Sequence, residues 1–180
     1  MLINIRDSLL LIVDVQTKLL KFIKENEQIC WNINRLISIF DKLRLPIIVT
    51  EQYPIGLGHT SEKISEPIFG YAKFEKTTFS CFSNKNIKNK LLKLNKKQII
   101  ICGIETHICV LQTAFELKED GYNVFIMSDC VGSRKTVNHL LGIKRFGSRQ
   151  IEVIDTEMLL FELLRDSNHK NFRELSKLIK

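Results

Sequence analysis

Two residues of this 180-residue sequence combine reactive side chains with positions typical of functional sites. Asp14 follows the apolar run Leu11–Val13, which places a carboxylate at the end of a buried strand, either as a proton acceptor or only as a cap for the next turn. Cys109 lies where a strand ends at Gly103 and a helix begins near Thr106. A thiolate in the first turn of a helix is stabilised by the helix dipole and by free N–H groups, although most lone cysteines are simply buried.

The elements that would position these residues alternate between short apolar strands and longer helices, the pattern of βαβ units around a parallel sheet. Strands are predicted at residues 8–13, 46–50, 71–75, 98–102, 123–127 and 151–154, and helices at residues 27–43, 84–94, 106–120, 133–146 and 155–164. A tail helix from about residue 168 to 180 is expected to dock on the body. We therefore predict one domain over residues 1–180, a Rossmann-like three-layer α/β sandwich with a central, mostly parallel sheet.

The carboxyl ends of the predicted strands meet at one edge of the sheet, where ligands bind in open parallel sheets. That edge collects Asp14, Thr50–Tyr53, Gly103–Cys109 and Asp129. The stretch Glu51–Phe69 follows the second strand and has no helical or strand period. Because loops of this length inside a compact domain are usually functional or disordered, we expect it to border the site.

The composition is typical of a soluble globular protein, with 44% hydrophobic and 26% charged residues. The apolar runs are shorter than the roughly 18 residues of a membrane span, and the first residues do not resemble a signal peptide. Five cysteines, an odd number without C-x-x-C spacing, indicate reduced thiols in the cytoplasm. The net charge of +7 is partly local, with six lysines between residues 82 and 98. No aromatic residues are interleaved with them, so we interpret this segment as a solvated helix face and expect no nucleic-acid partner.

Asp14, Lys76 and Cys109 occur in three motifs that together resemble the isochorismatase-like cysteine hydrolase superfamily over nearly the whole chain. The motifs are Asp14 with Gln16, the segment Lys76-Thr-Thr-Phe-Ser-Cys-Phe82, and Gly103-Ile-Glu-Thr-His-Ile-Cys-Val110 followed by Thr113-Ala114. The segment Thr50–Thr60 and the tail Asn171–Lys180 are similar to the isochorismatase domain-containing subgroup, whose physiological substrates are largely unassigned.

The resemblance implies a role for each matching residue. Cys109 would be the nucleophile, Asp14 the base that takes its proton and later activates water, and Lys76 the cation that holds the thiolate and orients the carboxylate. The Ile104–Glu105 peptide would be cis and would aim the N–H groups of Glu105 and Cys109 at the developing oxyanion. This scheme uses no histidine and no cofactor.

The region after the second strand departs from the metal-binding members of the superfamily. Nicotinamidases bind a metal there through an Asp-x-His element and a further His, whereas this chain has Glu51-Gln52-Tyr53, so we predict no metal site. We expect Gln16, Tyr53, Phe79 and Phe82 to contribute to the substrate pocket, although the aromatic residues fit core packing equally well.

True isochorismatases, which cleave a vinyl ether, lack the nucleophilic cysteine. Cys109 therefore favours a cysteine-dependent, metal-independent hydrolase of a small amide-like molecule, acting through a thioester. A haloacid-dehalogenase-type phosphatase would also place an aspartate at position 14, but Gln16 stands where that group needs a second one. A catalytically silent binding or scaffold protein is the other alternative. The expected partners are a small-molecule substrate and further copies of the chain in a homo-oligomer, a dimer or higher, without a membrane.

Overall fold

Six parallel strands form the centre of the molecule, which is described by a computed structural model over residues 1–67 and 69–179. The sheet order is β3-β2-β1-β4-β5-β6, and every pairing is parallel. A π-helical turn, Thr106–Val110, directly precedes α5, and a 3₁₀ turn, Ser176–Ile179, follows α8. In chain order the elements are β1 (Ser8–Val13), α1 (Thr17–Leu20), α2 (Asn26–Leu43), β2 (Ile47–Gln52), α3 (Pro54–Leu57), β3 (Tyr71–Lys76), α4 (Lys85–Leu94), β4 (Gln98–Ile104), α5 (Leu111–Glu119), β5 (Asn123–Gly132), α6 (Thr136–Gly147), β6 (Glu152–Ile154), α7 (Thr156–Leu164) and α8 (Phe172–Leu175).

The alternation of side chains along β1 builds an apolar core on each face of the sheet. Leu10 and Ile12 pack in one cluster with residues of α2 and α7, and Leu9, Leu11 and Val13 pack in the other with residues of α4, α5 and α6. Because both faces of the strand are covered, β1 is a continuous apolar run rather than an alternating one. The three-layer α/β sandwich with a parallel sheet is thereby confirmed.

The predicted strands and long helices are present, but β2, β3, β4 and β5 extend beyond their predicted ends, by one residue in β3 and by five in β5. β2 reaches Gln52 and β5 reaches Gly132, so Asp129 lies within a strand instead of at its end. One carboxylate oxygen of Asp129 accepts hydrogen bonds from the N–H (3.3 Å) and the hydroxyl (2.6 Å) of Thr156. Asp129 therefore holds the start of α7, which corrects its expected place among the site residues.

The C-terminal tail docks on the body as expected, but it is less helical. α8 begins only at Phe172, because side chains before it accept hydrogen bonds from nearby main-chain N–H groups. His169 Nδ1, for example, accepts from the Asn171 N–H (3.2 Å). Leu175 is buried, and the ring of Phe172 lies 6.3 Å from that of Phe161 in α7.

Two predicted segments include residues outside the described ones: Ile68 in the irregular stretch and Lys180 at the end of the tail. The irregular stretch contains the short helix α3, which was not predicted. In residues 1–67 and 69–179, no helix is both long enough and apolar enough to cross a membrane.

Candidate active site

The register of the sheet places Asp14 beside the ends of β2 and β4. Val13 is paired with Thr50 on one side and with Gly103 on the other. Gly103 has a φ of +113°, and a Cβ there would lie 2.1 Å from the Val13 carbonyl oxygen, so only glycine permits this close approach. Asp14 adopts a left-handed backbone (φ 52°), and its N–H donates to the Thr50 carbonyl (3.1 Å). The chain thus leaves β1 with Asp14 held against the neighbouring strand.

Asp14 and Lys76 form an ion pair whose side chains are both fully buried, with 2.6 Å between Lys76 Nζ and Asp14 Oδ2. The ammonium also donates to Gln52 Oε1 (2.7 Å) and approaches the carbonyl oxygens of Phe79 (3.1 Å) and Thr78 (3.2 Å). Burial alone would lower the pKa of Lys76, but the neighbouring acidic groups Cys81, Asp14 and Cys109 outweigh it and raise that pKa above its ordinary value. Lys76 is therefore a permanent cation beside the Asp14 carboxylate.

Cys109 joins this pair from the π-helical turn that follows β4, and 7% of its surface is exposed. Burial and the neighbouring Asp14 carboxylate raise the pKa of Cys109, while the Lys76 ammonium acts in the opposite direction. Cys109 is thus a protonated thiol at neutral pH, in contrast to the stabilised thiolate that the helix start favours. The site requires a base to generate the thiolate, and the Asp14 carboxylate is in contact with it.

A second thiol, Cys81, lies against the same ion pair. It is fully buried, its Sγ is 3.6 Å from the Thr50 hydroxyl, and its N–H donates to the Thr113 hydroxyl (2.9 Å) one turn beyond Cys109. Burial and the Asp14 charge raise the pKa of Cys81 to about 11, against the opposing effect of Lys76. The Thr50 hydroxyl also reaches Asp14 Oδ1 (2.7 Å), so it connects the second thiol to the carboxylate.

The Ile104–Glu105 peptide is cis, as the resemblance implied. The side chain of Glu105 is buried, and it contacts Arg134 twice, through the guanidinium Nε (2.9 Å) and through the main-chain N–H (2.8 Å). Glu105 therefore ties the end of β4 to the segment between β5 and α6.

The four residues expected to line a pocket occupy two kinds of position. Gln16 is buried and holds the end of β2, since its Oε1 accepts from Gln52 N–H (2.7 Å) and its Nε2 donates to the Gln52 carbonyl (3.0 Å). Phe82 is also buried, with its ring edge-on to Tyr122 at 5.9 Å. Tyr53 and Phe79 are exposed by about half, and Tyr53 borders a cavity of about 320 Å³ that Lys76 also lines. Tyr53 and Phe79 are thus the accessible members of the set.

Glu51 forms a second charged cluster at the position where nicotinamidases bind their metal. Its Oε1 accepts from the N–H (2.7 Å) and the hydroxyl (2.6 Å) of Thr60, and its Oε2 lies 3.1 Å from His59 Nδ1. Burial would raise the pKa of Glu51, but these hydrogen bonds and the nearby Lys73 charge hold it at about 2. Among the described residues, no cluster of three His, Cys, Asp or Glu side chains could hold a metal ion.

A sequence model of the isochorismatase domain matches residues 8–158. This chain belongs to the isochorismatase family. Isochorismatase family protein 1A of Dictyostelium discoideum is 38% identical over 173 residues, covering 93% of this chain and 84% of the relative. Isochorismatase domain-containing protein 2 of Danio rerio is 33% identical over 178 residues, covering 98% of this chain and 89% of the relative. The subgroup that the motifs indicated is therefore the right one.

Solved structures of the family share the whole fold. The structure described as MAR1 ribonuclease from Caenorhabditis elegans has a TM-score of 0.93 and 35% identity, covering 99% of this chain and 92% of its own. The YcaC gene product of Escherichia coli, described as an octameric hydrolase of unknown specificity, has a TM-score of 0.90 at 23% identity, covering 99% of this chain and 89% of its own. The whole isochorismatase fold is thus shown for this chain.

Three contacts of this isochorismatase-family site were missed from the sequence: those of Thr50, Gln52 and Cys81. Thr50 and Gln52 were placed at the correct sheet edge, but nothing in the sequence indicated that their side chains would reach Asp14 and Lys76. Cys81 was visible only as the fifth residue after Lys76 in a matched motif. Period-2 alternation along β2 could have placed Thr50 and Gln52 on one face.

Proposed function

We propose that this isochorismatase-family protein is a cysteine-dependent, metal-independent hydrolase of a small amide-like molecule. The observation that carries the proposal is the buried Asp14 carboxylate, which is paired with the Lys76 ammonium and lies near enough to the Cys109 thiol to raise its pKa. A protonated thiol beside an ionised carboxylate is a nucleophile with its base already in place. The Lys76 charge holds that carboxylate in a site that would otherwise disfavour an anion.

In the proposed reaction, Asp14 takes the thiol proton as Cys109 Sγ attacks the carbonyl carbon of the amide. The N–H groups of Glu105 and Cys109 bind the oxyanion of the tetrahedral intermediate. The C–N bond then breaks, and the departing amine takes the proton from Asp14, which leaves a thioester on Cys109. Asp14 next removes a proton from water as the water attacks the thioester, and the proton returns to the sulfur when the acid departs. Lys76 remains an ammonium throughout.

The proposed independence from metals is supported by the partners of Glu51 and Gln52. Gln52 Oε1 accepts from the Lys76 ammonium at 2.7 Å, and Glu51 lies 3.5 Å from the Lys73 ammonium. A cation at either side chain would have to sit beside an existing positive charge, Lys76 or Lys73, and compete for oxygens that are already engaged.

The name of the C. elegans relative makes RNA the main competing substrate class. The bond that a ribonuclease breaks is a phosphodiester, which has no acyl carbon, so that reaction cannot pass through a thioester on Cys109. The lysine-rich helix α4 is also partly committed to the protein, because Lys88 lies 3.7 Å from Asp120 and 4.3 Å from the centre of the Phe82 ring. The contacts of Lys88 weaken the case for RNA, and a catalytically silent protein is the remaining alternative.

A panel of small primary and secondary amides tests the proposal. Wild type should hydrolyse at least one of them in the presence of excess chelator, and Cys109→Ala should lose about a thousandfold or more in kcat/KM. Cys102→Ala is the matched control, since it removes a buried thiol from the opposite face of the sheet and should keep the activity.

Turnover that survives Cys109→Ala, or that one added divalent metal restores after chelation, would contradict the mechanism. Rapid cleavage of RNA with no turnover of any amide would favour the ribonuclease alternative. Inertness towards the amides and RNA would favour the silent binding protein.

We further propose that the chain forms a homo-oligomer in the cytoplasm. All five cysteines are free thiols, which suits a reducing compartment such as the cytoplasm.

The surface for the oligomer is an apolar stripe on α6. Val137, Leu140 and Leu141 are each more than half exposed and form this stripe. Light scattering should give a mass above that of the monomer, and Leu140→Glu should shift it towards the monomer; a wild-type monomer would rule the oligomer out.

A further inference from the structure

Two thiols lie beside the Asp14–Lys76 pair, although only one nucleophile is needed. Cys109 reaches Asp14 from the π-helical turn, and Cys81 reaches it indirectly through Thr50. The charges of Lys76 and Asp14 both act on the pKa of Cys81, as they do on the pKa of Cys109. Something in the site must therefore determine which thiol gives its proton to Asp14.

The hydrogen-bond inventory of Thr50 fixes the direction of this connection. An ionised carboxylate only accepts hydrogen bonds, so the Thr50 hydroxyl must donate its single proton to Asp14 Oδ1 over their 2.7 Å separation. With that proton used, the same hydroxyl can only accept from Cys81, whose Sγ lies 3.6 Å away. The chain of donors therefore runs from the Cys81 S–H to the Thr50 O–H and then to Asp14.

The same contacts restrict Asp14. Its N–H donates to the Thr50 carbonyl (3.1 Å), its Oδ1 accepts from the Thr50 hydroxyl, and its Oδ2 accepts from Lys76 (2.6 Å). The charged and titratable groups that face the carboxylate are Lys76 from β3, Cys109 from the π-helical turn and Cys81 from the segment before α4. Thr50 stands between Asp14 and the last of these, and the carboxylate keeps free acceptor positions that can face Cys109.

We propose that Thr50 is a positioning residue, whose hydroxyl aims Asp14 at Cys109 and withholds it from Cys81. This inference rests on the proposed function, because it takes Asp14 as the base for Cys109. It explains why a site with two thiols has one nucleophile. Thr50 acts only through Asp14 and needs no contact with the substrate.

The test compares Thr50→Val, which keeps the shape but cannot donate, with Thr50→Ser, which keeps the hydroxyl. The rate of alkylation by iodoacetamide is measured at each thiol by peptide mass spectrometry. The pH runs from about 5 to about 10, from the region of carboxyl titration to that of thiol titration. In Thr50→Val we expect Cys109 to react about tenfold more slowly at neutral pH, because the donor that aims the Asp14 carboxylate at Cys109 is gone. Thr50→Ser should stay within about twofold of wild type.

Thr50→Ala removes the same hydroxyl without filling the space, and it repeats the comparison should the valine variant not fold. Equal rates and profiles in wild type and Thr50→Val, or an equal loss in Thr50→Val and Thr50→Ser, would overturn the role of the hydroxyl. The proposed function would fail in a different way, namely if iodoacetamide modified another thiol of the wild-type protein faster than Cys109. Once a substrate is known, Thr50→Val should lower kcat and leave KM unchanged, since Thr50 acts on the base and not on binding.

Discussion

Thr50 and Glu51 are neighbours on β2, yet they point to opposite faces of the sheet and belong to two different carboxylate clusters. On one face, Thr50 donates to Asp14, whose other oxygen accepts from Lys76. On the other face, the Glu51 carboxylate accepts two hydrogen bonds from Thr60 and lies near His59 and Lys73. Both clusters therefore hold a buried carboxylate with a lysine beside it.

The clusters differ in what else faces the carboxylate. The partners of Glu51 belong to the loop after α3 and to β3, so its charge fixes that loop against the sheet. Asp14 has two comparable donors, but it also faces the protonated thiol of Cys109. We conclude that the Glu51 carboxylate holds structure, whereas the Asp14 carboxylate, which also faces a titratable thiol, can exchange a proton with it.

Among the substitutions that test this comparison, Asp14→Asn should have the largest effect, because it keeps the shape of the side chain and removes the base. We expect hydrolysis and Cys109 alkylation to fall by about a hundredfold or more at neutral pH, in line with the loss of a general base. Stability should drop by about 3 kcal/mol, because Lys76 stays buried without its counter-charge. Alkylation kinetics and urea unfolding measure the two effects, and a variant that reacts like wild type would remove Asp14 from the mechanism.

Glu51→Gln is the matched change on the opposite face. Since the folded pKa of Glu51 is about 2, below its ordinary value of 4.5, its charge stabilises the fold above pH 4.5, and this stabilisation is lost as the pH falls towards 2. We expect the variant to be about 2 kcal/mol less stable at pH 7, with the difference from wild type shrinking towards zero at the acid end. Unfolding free energies across this range check the sign, and Cys109 reactivity should not change.

A much smaller effect is expected from the exposed charges of α4. Changing Lys88, Lys90 and Lys93 together to Glu should alter stability by no more than about 1 kcal/mol, since exposed ion pairs such as Lys88 with Asp120 contribute little. Any binding of RNA by wild type should be weak and disappear at moderate salt. Fluorescence anisotropy with a labelled RNA measures this, and nanomolar binding at physiological salt that the triple change removes would make α4 a functional surface.

The fold and the central residues of the site could be predicted from the sequence because both depend on local patterns. Apolar runs such as residues 8–13 and 98–102 mark the strands, and a parallel sheet brings their carboxyl ends to one edge whatever the details of packing. Asp14, Lys76 and Cys109 stand out because a motif resemblance connects them.

The remaining features depend on side-chain contacts across the sheet, which no local pattern contains. Thr50 reaches Asp14 only because of the β1–β2 register, and Phe82 turns into the core to meet Tyr122. Asp129 was misplaced because the end of β5 lies beyond its apolar run, at Gly132. The raised pKa of Cys109 likewise reflects burial, which a position at the start of a helix does not reveal.

The most direct test of the central claim is the order in which the five thiols react in the folded wild-type protein. A limiting amount of iodoacetamide is applied near neutral pH, and the modified cysteines are located by peptide mass spectrometry. We expect Cys109 to be labelled first, because it is the most exposed of the five thiols and it contacts the Asp14 carboxylate. Preferential labelling of Cys30 or Cys130 would contradict the assignment of Cys109 as the nucleophile.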